Sequence, residues 1–84
     1  MENLLFIDYI KLRLKGRRTD TPMGDLLNDM ESDMSKLEEL QNLTAITSYI
    51  SFHACPECWE VFKRFRSQYR KYCRDNNYIA DNEQ

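Results

Sequence analysis

The separation of hydrophobic from polar positions is clearest between Cys55 and Asp75. At about 100° per residue, as in an α-helix, this stretch divides into two faces. One face is rich in aromatic residues and comprises Cys58, Val61, Phe62, Phe65, Tyr69, Tyr72 and Cys73. The opposite face carries only basic charges between residues 61 and 74, namely Lys63, Arg64, Arg66, Arg70, Lys71 and Arg74, with Trp59 near the boundary. The pattern predicts a long amphipathic helix whose aromatic face the other helices cover.

Helical spacing of apolar residues predicts three more helices before this one. Residues 3 to 15 are apolar around most of a helix, which is typical of a helix buried centrally or against a second subunit. The second helix begins at Pro22, where a missing N–H is tolerated, and ends near residues 31 to 33. The third covers residues 43 to 52 after Asn42 as its N-cap, and Pro56 opens the last helix.

The segment from residue 34 to residue 41 allows two interpretations. Leu37 and Leu40 fit either a short helical turn or an ordered loop. With 84 residues, the chain is expected to form one small helical domain over residues 1–77. Residues 78–84 are expected to form a polar, frayed C-terminal tail.

Several short motifs follow one another along the chain in a recognisable order. They are Phe6-x-x-Tyr9; Pro22-x-Gly24-Asp25-Leu26; Asp29 with Asp33; Ile46-Thr47-Ser48-Tyr49-Ile50; and a helix with Phe62, Phe65 and Tyr69. In this order the chain resembles the YozE-type SAM-like family of small bacterial helical proteins. It departs from the family pattern at Met34-Ser35-Lys36, where a Phe-Pro pair is usual, and at Phe65, where a tryptophan is usual. The resemblance implies a compact all-α, four- to five-helix SAM-like bundle, and it implies no known activity or site residue.

Charge is unevenly distributed along a chain whose net charge is only −2. Eleven of the twelve basic residues lie in two blocks, at residues 11–18 and 63–74. Between residues 20 and 39, seven acidic residues accompany the single basic residue Lys36. The near-neutral total excludes a general attraction to nucleic acid or membrane, so any electrostatic binding must be local.

The basic face of the last helix has three interpretations. The first is an ordinary face exposed to solvent. The second is a nucleic-acid interface, in which the basic side chains bind phosphates and release their counterions. The third is an interface with an acidic protein, including the acidic segment of a second copy. Tyr72 and Tyr78 are the only aromatic residues placed to stack with bases from this face. We expect a protein partner, with nucleic acid as the alternative and a homo-oligomer as a further option.

The sharpest local motif is His53-x-Cys55-Pro-Glu-Cys58. Zinc needs four nitrogen or sulfur ligands, but Cys73 lies fifteen residues beyond Cys58 on one predicted helix, about 22 Å away. One chain therefore offers at most three ligands, and we predict no metal and no cofactor. His53, Cys55 and Cys58 are the ligands of the weaker metal alternative. A thiol enzyme would set its Cys-x-x-Cys after a strand of a βαβ unit, which this pattern lacks.

Conventional catalysis has little support in the sequence. The single histidine is accompanied by no recognisable set of nucleophile, base and orienting residue, so we predict that the protein is not an enzyme. Three cysteines, no signal-like segment and no long apolar run favour a cytoplasmic protein.

Overall fold

Five helices and one short pair of strands make up the computed structural model, which describes residues 2–16, 18 and 20–81. The elements are β1 (Asn3–Leu4), α1 (Phe6–Leu14), α2 (Pro22–Ser32), α3 (Met34–Leu40), α4 (Leu43–His53), α5 (Pro56–Asp75) and β2 (Ile79–Ala80). This architecture confirms the predicted compact all-α bundle. None of the described helices is long and apolar enough to cross a membrane.

Local caps set the beginnings of two helices. The Thr21 side chain accepts a hydrogen bond from the Gly24 N–H at 2.9 Å, and Pro22 occupies the first turn of α2. The Asn42 side chain accepts one from the Ala45 N–H at 2.8 Å at the start of α4. These caps satisfy N–H groups that would otherwise lack partners, so the predicted beginnings of α2 and α4 are confirmed.

The segment between α2 and α4 is helical. Asp33 ends α2 and begins α3, and Leu37 on α3 is fully buried. Of the two interpretations left open by the sequence, the short helix is therefore the one observed. Burial of Leu37 supplies the tertiary contact that a helix of only seven residues needs, because such a short helix is marginal in isolation.

An aromatic cluster between α1 and α5 forms the centre of the core. The Phe6 ring centroid lies 5.9 Å from that of Phe62, 5.7 Å from that of Phe65 and 5.0 Å from that of Tyr69. The rings meet edge to face, a favourable arrangement for aromatic pairs. The predicted aromatic inner face of α5 is thus confirmed.

The N-terminal helix is less enclosed than its apolar sequence indicated. Its inner residues Phe6, Tyr9 and Ile10 are buried, whereas Leu12 is 42% exposed. The helix also begins later than predicted, since residues 3–5 are extended and Leu5 is the N-cap with ψ 147°. Packing covers one side of α1, and the other side remains at the surface.

The two ends of the described chain are joined through backbone pairing. Strands β1 and β2 run parallel, with Asn3 opposite Ile79 and Leu4 opposite Ala80. The buried Tyr69 hydroxyl donates to the Leu4 carbonyl at 2.5 Å and accepts from the Asp81 N–H at 2.7 Å. One hydroxyl therefore bridges both ends.

Asp81 extends this junction to the start of α1. Its carboxylate accepts a hydrogen bond from the Phe6 N–H at 2.8 Å, at the positive end of the helix dipole. The prediction of a frayed tail is wrong for residues 78–81, because backbone pairing and the Tyr69 and Asp81 contacts hold them in place. Residues 82–84 lie outside the described residues.

Gly24 is expected to be the less replaceable of the two glycines. A Cβ atom at this position would lie 1.4 Å from the Arg18 carbonyl oxygen, so a side chain forces the backbone apart. We expect Gly24→Ala to lower the free energy of unfolding by about 1–3 kcal/mol in a urea titration, despite alanine's better helix propensity. Gly16→Ala is the matched control, because a Cβ atom added there would meet no heavy atom within 4 Å. Equal stability of the two variants would contradict this close approach.

Candidate functional site

The six basic residues predicted on the outer side of the last helix are all on α5 and outside the core. We call Lys63, Arg64, Arg66, Arg70, Lys71 and Arg74 the basic face. Arg64, Lys71 and Arg74 are exposed and form its outer row, while the other three are half-buried along its flank. The basic face lies opposite the core residues Phe62, Phe65, Tyr69 and Cys73. The helix thus presents cations to solvent because its aromatic side is packed against α1.

Carboxylates from the same helix neutralise part of the basic face. Lys63 Nζ lies 3.0 Å from a Glu60 carboxylate oxygen, and Lys71 Nζ lies 2.9 Å from an Asp75 carboxylate oxygen. The hydrogen bond from Lys71 is the main cause that lowers the pKa of the Asp75 carboxyl, and the charge of Arg74 adds to it. Sequence reasoning overlooked these pairs, although their spacings of three and four residues are the ones that place helical side chains together.

The aromatic side chains beside the basic face are engaged with their own chain. Trp59 stacks on Phe62 with ring centroids 5.7 Å apart and planes 14° from parallel. Tyr72 stacks on Tyr78 in the same manner, at 6.2 Å and 10°. A nucleobase that used either platform would have to displace one of these stacks, so base stacking gains no support from the geometry.

Arg13 has a structural position that the sequence did not reveal. Its guanidinium donates to the Tyr9 hydroxyl and to the Gln68 side-chain oxygen, both at 2.8 Å. The same group lies 5.4 Å from the Phe65 ring centroid, within the range of a cation–π contact. Arg13 therefore joins α1 to α5, and it is a packing residue rather than a member of a binding patch. Arg17, from the same basic block, lies outside the described residues.

The residues of the weaker metal alternative line one cavity. This cavity of about 290 Å³ lies between α2, α4 and the beginning of α5. Its wall comprises Leu26, Asp29, Met30, Ser32, Asp33, Ile50, His53, Ala54, Cys55 and Cys58. Within the described residues, no three histidine, cysteine or acidic side chains are arranged to hold a metal ion. His53 instead packs its ring against Tyr49, with centroids 4.5 Å apart.

We expect metal removal to leave the fold unchanged. The aromatic core and the helix caps are built from side chains alone, and a structural metal would need a closed ligand set. Circular dichroism of protein treated with a strong chelator should show the same helicity and the same melting temperature as untreated protein. Stoichiometric zinc in the purified protein, with unfolding on its removal, would point to His53, Cys55 and Cys58 as ligands instead.

Comparison of the chain with protein-family models, with curated proteins and with solved structures gave no match. The resemblance to the YozE-type family accordingly stays a prediction. The case for function therefore depends on the chemistry of the surface itself, and chiefly on the basic face.

Proposed function

We propose that this protein is a non-catalytic interaction module that binds an acidic protein surface through the basic face of α5. The observation that carries the proposal is the concentration of six basic residues between Lys63 and Arg74, with the outer row exposed. Arginine suits such a role, because its planar guanidinium forms paired hydrogen bonds with carboxylates. We place this module in the cytoplasm.

The neighbouring charges favour a protein partner over nucleic acid. Glu60 lies three residues before Lys63, and Asp75 lies four residues after Lys71. Both carboxylates would repel a phosphate backbone. An acidic protein can instead place its carboxylates beside individual arginines and leave these ion pairs intact. The net charge of −2 also opposes tight non-specific binding to a polyanion.

The resemblance and the acidic segment add two subsidiary proposals. Membership of the YozE-type family is supported by the motif order and agrees with a compact helical bundle, but a fold by itself assigns no function. A second copy of the chain is one acidic protein that qualifies as partner, because Asp25, Glu31 and Glu39 on α2 and α3 are exposed. Nucleic acid remains the alternative partner.

The test is affinity capture from native lysate with a variant of the outer row. Arg64→Gln, Lys71→Gln and Arg74→Gln together remove three exposed positive charges, and such changes have small effects on stability. We expect the wild type to retain a protein partner after nuclease treatment and the triple variant to lose it. Added salt should mimic the variant, because long-range attraction between exposed charges is screened.

A matched control separates the basic face from overall charge. Lys15→Gln, Arg18→Gln and Lys36→Gln remove three positive charges from exposed positions outside α5, and this variant should bind as the wild type does. Equal loss in both variants would contradict a specific face. Loss of the partner on nuclease treatment would identify nucleic acid, and analytical ultracentrifugation of the pure protein would reveal self-association.

A further inference from the structure

Two thiols meet at the first turn of α5. Cys55 is the N-cap, and its Sγ atom accepts a hydrogen bond from the Cys58 N–H at 3.4 Å. Both cysteines are free, Cys55 is exposed and Cys58 is half-buried, and both line the cavity between α2, α4 and α5. This pair is separate from the basic face.

The geometry of the cap favours a bond between these two sulfur atoms. Cys55 has extended backbone angles, with φ −72° and ψ 165°, which turn its side chain back over the first turn of the helix. Cys55 Sγ lies 3.4 Å from the Cys58 backbone nitrogen, so both side chains belong to the same turn. A small adjustment within this turn would bring the two Cβ atoms to the separation of about 3.5–4.5 Å that a disulfide needs. Cys73 cannot compete, because it is 2% exposed and lies far along the same unbroken helix.

We propose that Cys55 and Cys58 form a reversible dithiol–disulfide couple that exchanges with low-molecular-weight disulfides at the mouth of this cavity. In the first step the Cys55 thiolate attacks one sulfur of the small disulfide, forms a mixed disulfide and releases one small thiol. In the second step the Cys58 thiolate attacks Cys55 Sγ, closes the intramolecular disulfide and releases the second small thiol. The two cysteines are oxidised, the small disulfide is reduced to two thiols, and two protons pass from the protein thiols to the products.

Exposure and the contact between the thiols determine the order of these steps. Cys55 is the accessible sulfur, so it meets the small disulfide first. The hydrogen bond with Cys55, burial, and negative charge on Cys55 and Asp29 raise the pKa of the Cys58 thiol. Formation of the mixed disulfide removes the thiol and the charge of Cys55, which are two of the causes that raise the pKa of the Cys58 thiol. The Cys58 thiol therefore ionises more readily once Cys55 Sγ is part of the mixed disulfide that Cys58 attacks.

The test is incubation of the native protein with oxidised glutathione, followed by intact-mass measurement and peptide mapping. We expect the wild type to lose two hydrogen atoms without retaining glutathione, and reduced glutathione should reverse the change. Cys58→Ser should stop at the mixed disulfide on Cys55. Cys55→Ser should keep its cap, because a serine hydroxyl accepts the same hydrogen bond, and should react at least about tenfold more slowly than the wild type.

Cys73→Ser is the matched control and should behave as the wild type does. Retention of glutathione by the wild type to the same extent as by Cys58→Ser would overturn the proposal, and so would a disulfide that includes Cys73. The comparison of the wild type with Cys58→Ser is decisive even if Cys55→Ser folds poorly. Circular dichroism of each variant before oxidation confirms that the thiols react from the folded state.

Discussion

Replacing Phe65 by alanine is expected to unfold most of the domain. Phe65 is fully buried and contacts Phe6, Tyr9 and the guanidinium of Arg13. Removal of a buried phenyl ring costs about 3–5 kcal/mol, which is comparable with the whole stability expected of a domain this small. Phe62→Ala should have a similar effect, since that ring is also fully buried. Thermal melting followed by circular dichroism measures both.

Phe52 provides the matched control for this prediction. Its side chain is 86% exposed near the end of α4, so its removal leaves no cavity. Phe52→Ala should melt within a few degrees of the wild type, because surface substitutions change stability by about 0.5 kcal/mol or less. Near-native melting of Phe65→Ala would mean that the aromatic face of α5 is not the centre of the core.

Removing the Tyr69 hydroxyl is expected to loosen both ends of the chain. Tyr69→Phe preserves the packed ring but leaves the Leu4 carbonyl and the Asp81 N–H without their buried partner. A buried group left unsatisfied costs about 1–3 kcal/mol. Both hydrogen bonds are only partly buried, so we expect the two losses together to fall within that range. Hydrogen exchange should accelerate at Phe6 and Ile79 more than in α4. Tyr78→Phe is the control, and equal protection in the two variants would contradict the bridging role of Tyr69.

The same hydroxyl predicts a dependence of stability on alkaline pH. Burial raises the pKa of Tyr69 in the folded protein above its ordinary value. The folded state therefore binds a proton that the unfolded chain releases above about pH 10, and stability falls as the pH rises beyond that value. Burial raises the pKa of Cys73 as well and contributes to the same fall. Denaturant titrations between about pH 8 and pH 11 should show a shallower fall for Tyr69→Phe than for the wild type.

Local chemistry explains which parts of the fold were predictable. The beginnings of α2, α4 and α5 follow from a capping residue or a proline within the first turn, and these act over three residues. The start of α1 was not predictable in this way. Residues 3–5 continue its apolar pattern, and their extended conformation depends on pairing with β2, at the opposite end of the described chain.

The candidate site likewise has features that follow from local sequence and features that depend on the tertiary fold. The basic face depends only on helical spacing, and the structure places all six residues outside the core as predicted. The ion pairs with Glu60 and Asp75 are also local and could have been inferred from charge spacing. The Arg13 contacts with Gln68 and Phe65 join two helices, as the cavity at Cys55 and Cys58 joins three, and such juxtapositions require the tertiary fold.

Site-specific photocrosslinking in cells tests the proposed function most directly, because it captures whichever molecule contacts the chosen position. A photoreactive residue at Ser67, which is exposed within the basic face, should yield a nuclease-resistant protein adduct. The adduct should disappear when Arg64, Lys71 and Arg74 are changed to Gln, and the same probe at the exposed Ser48 on α4 should yield none. Absence of an adduct at Ser67, or an equal adduct at Ser48, would contradict the proposal that α5 is the binding surface.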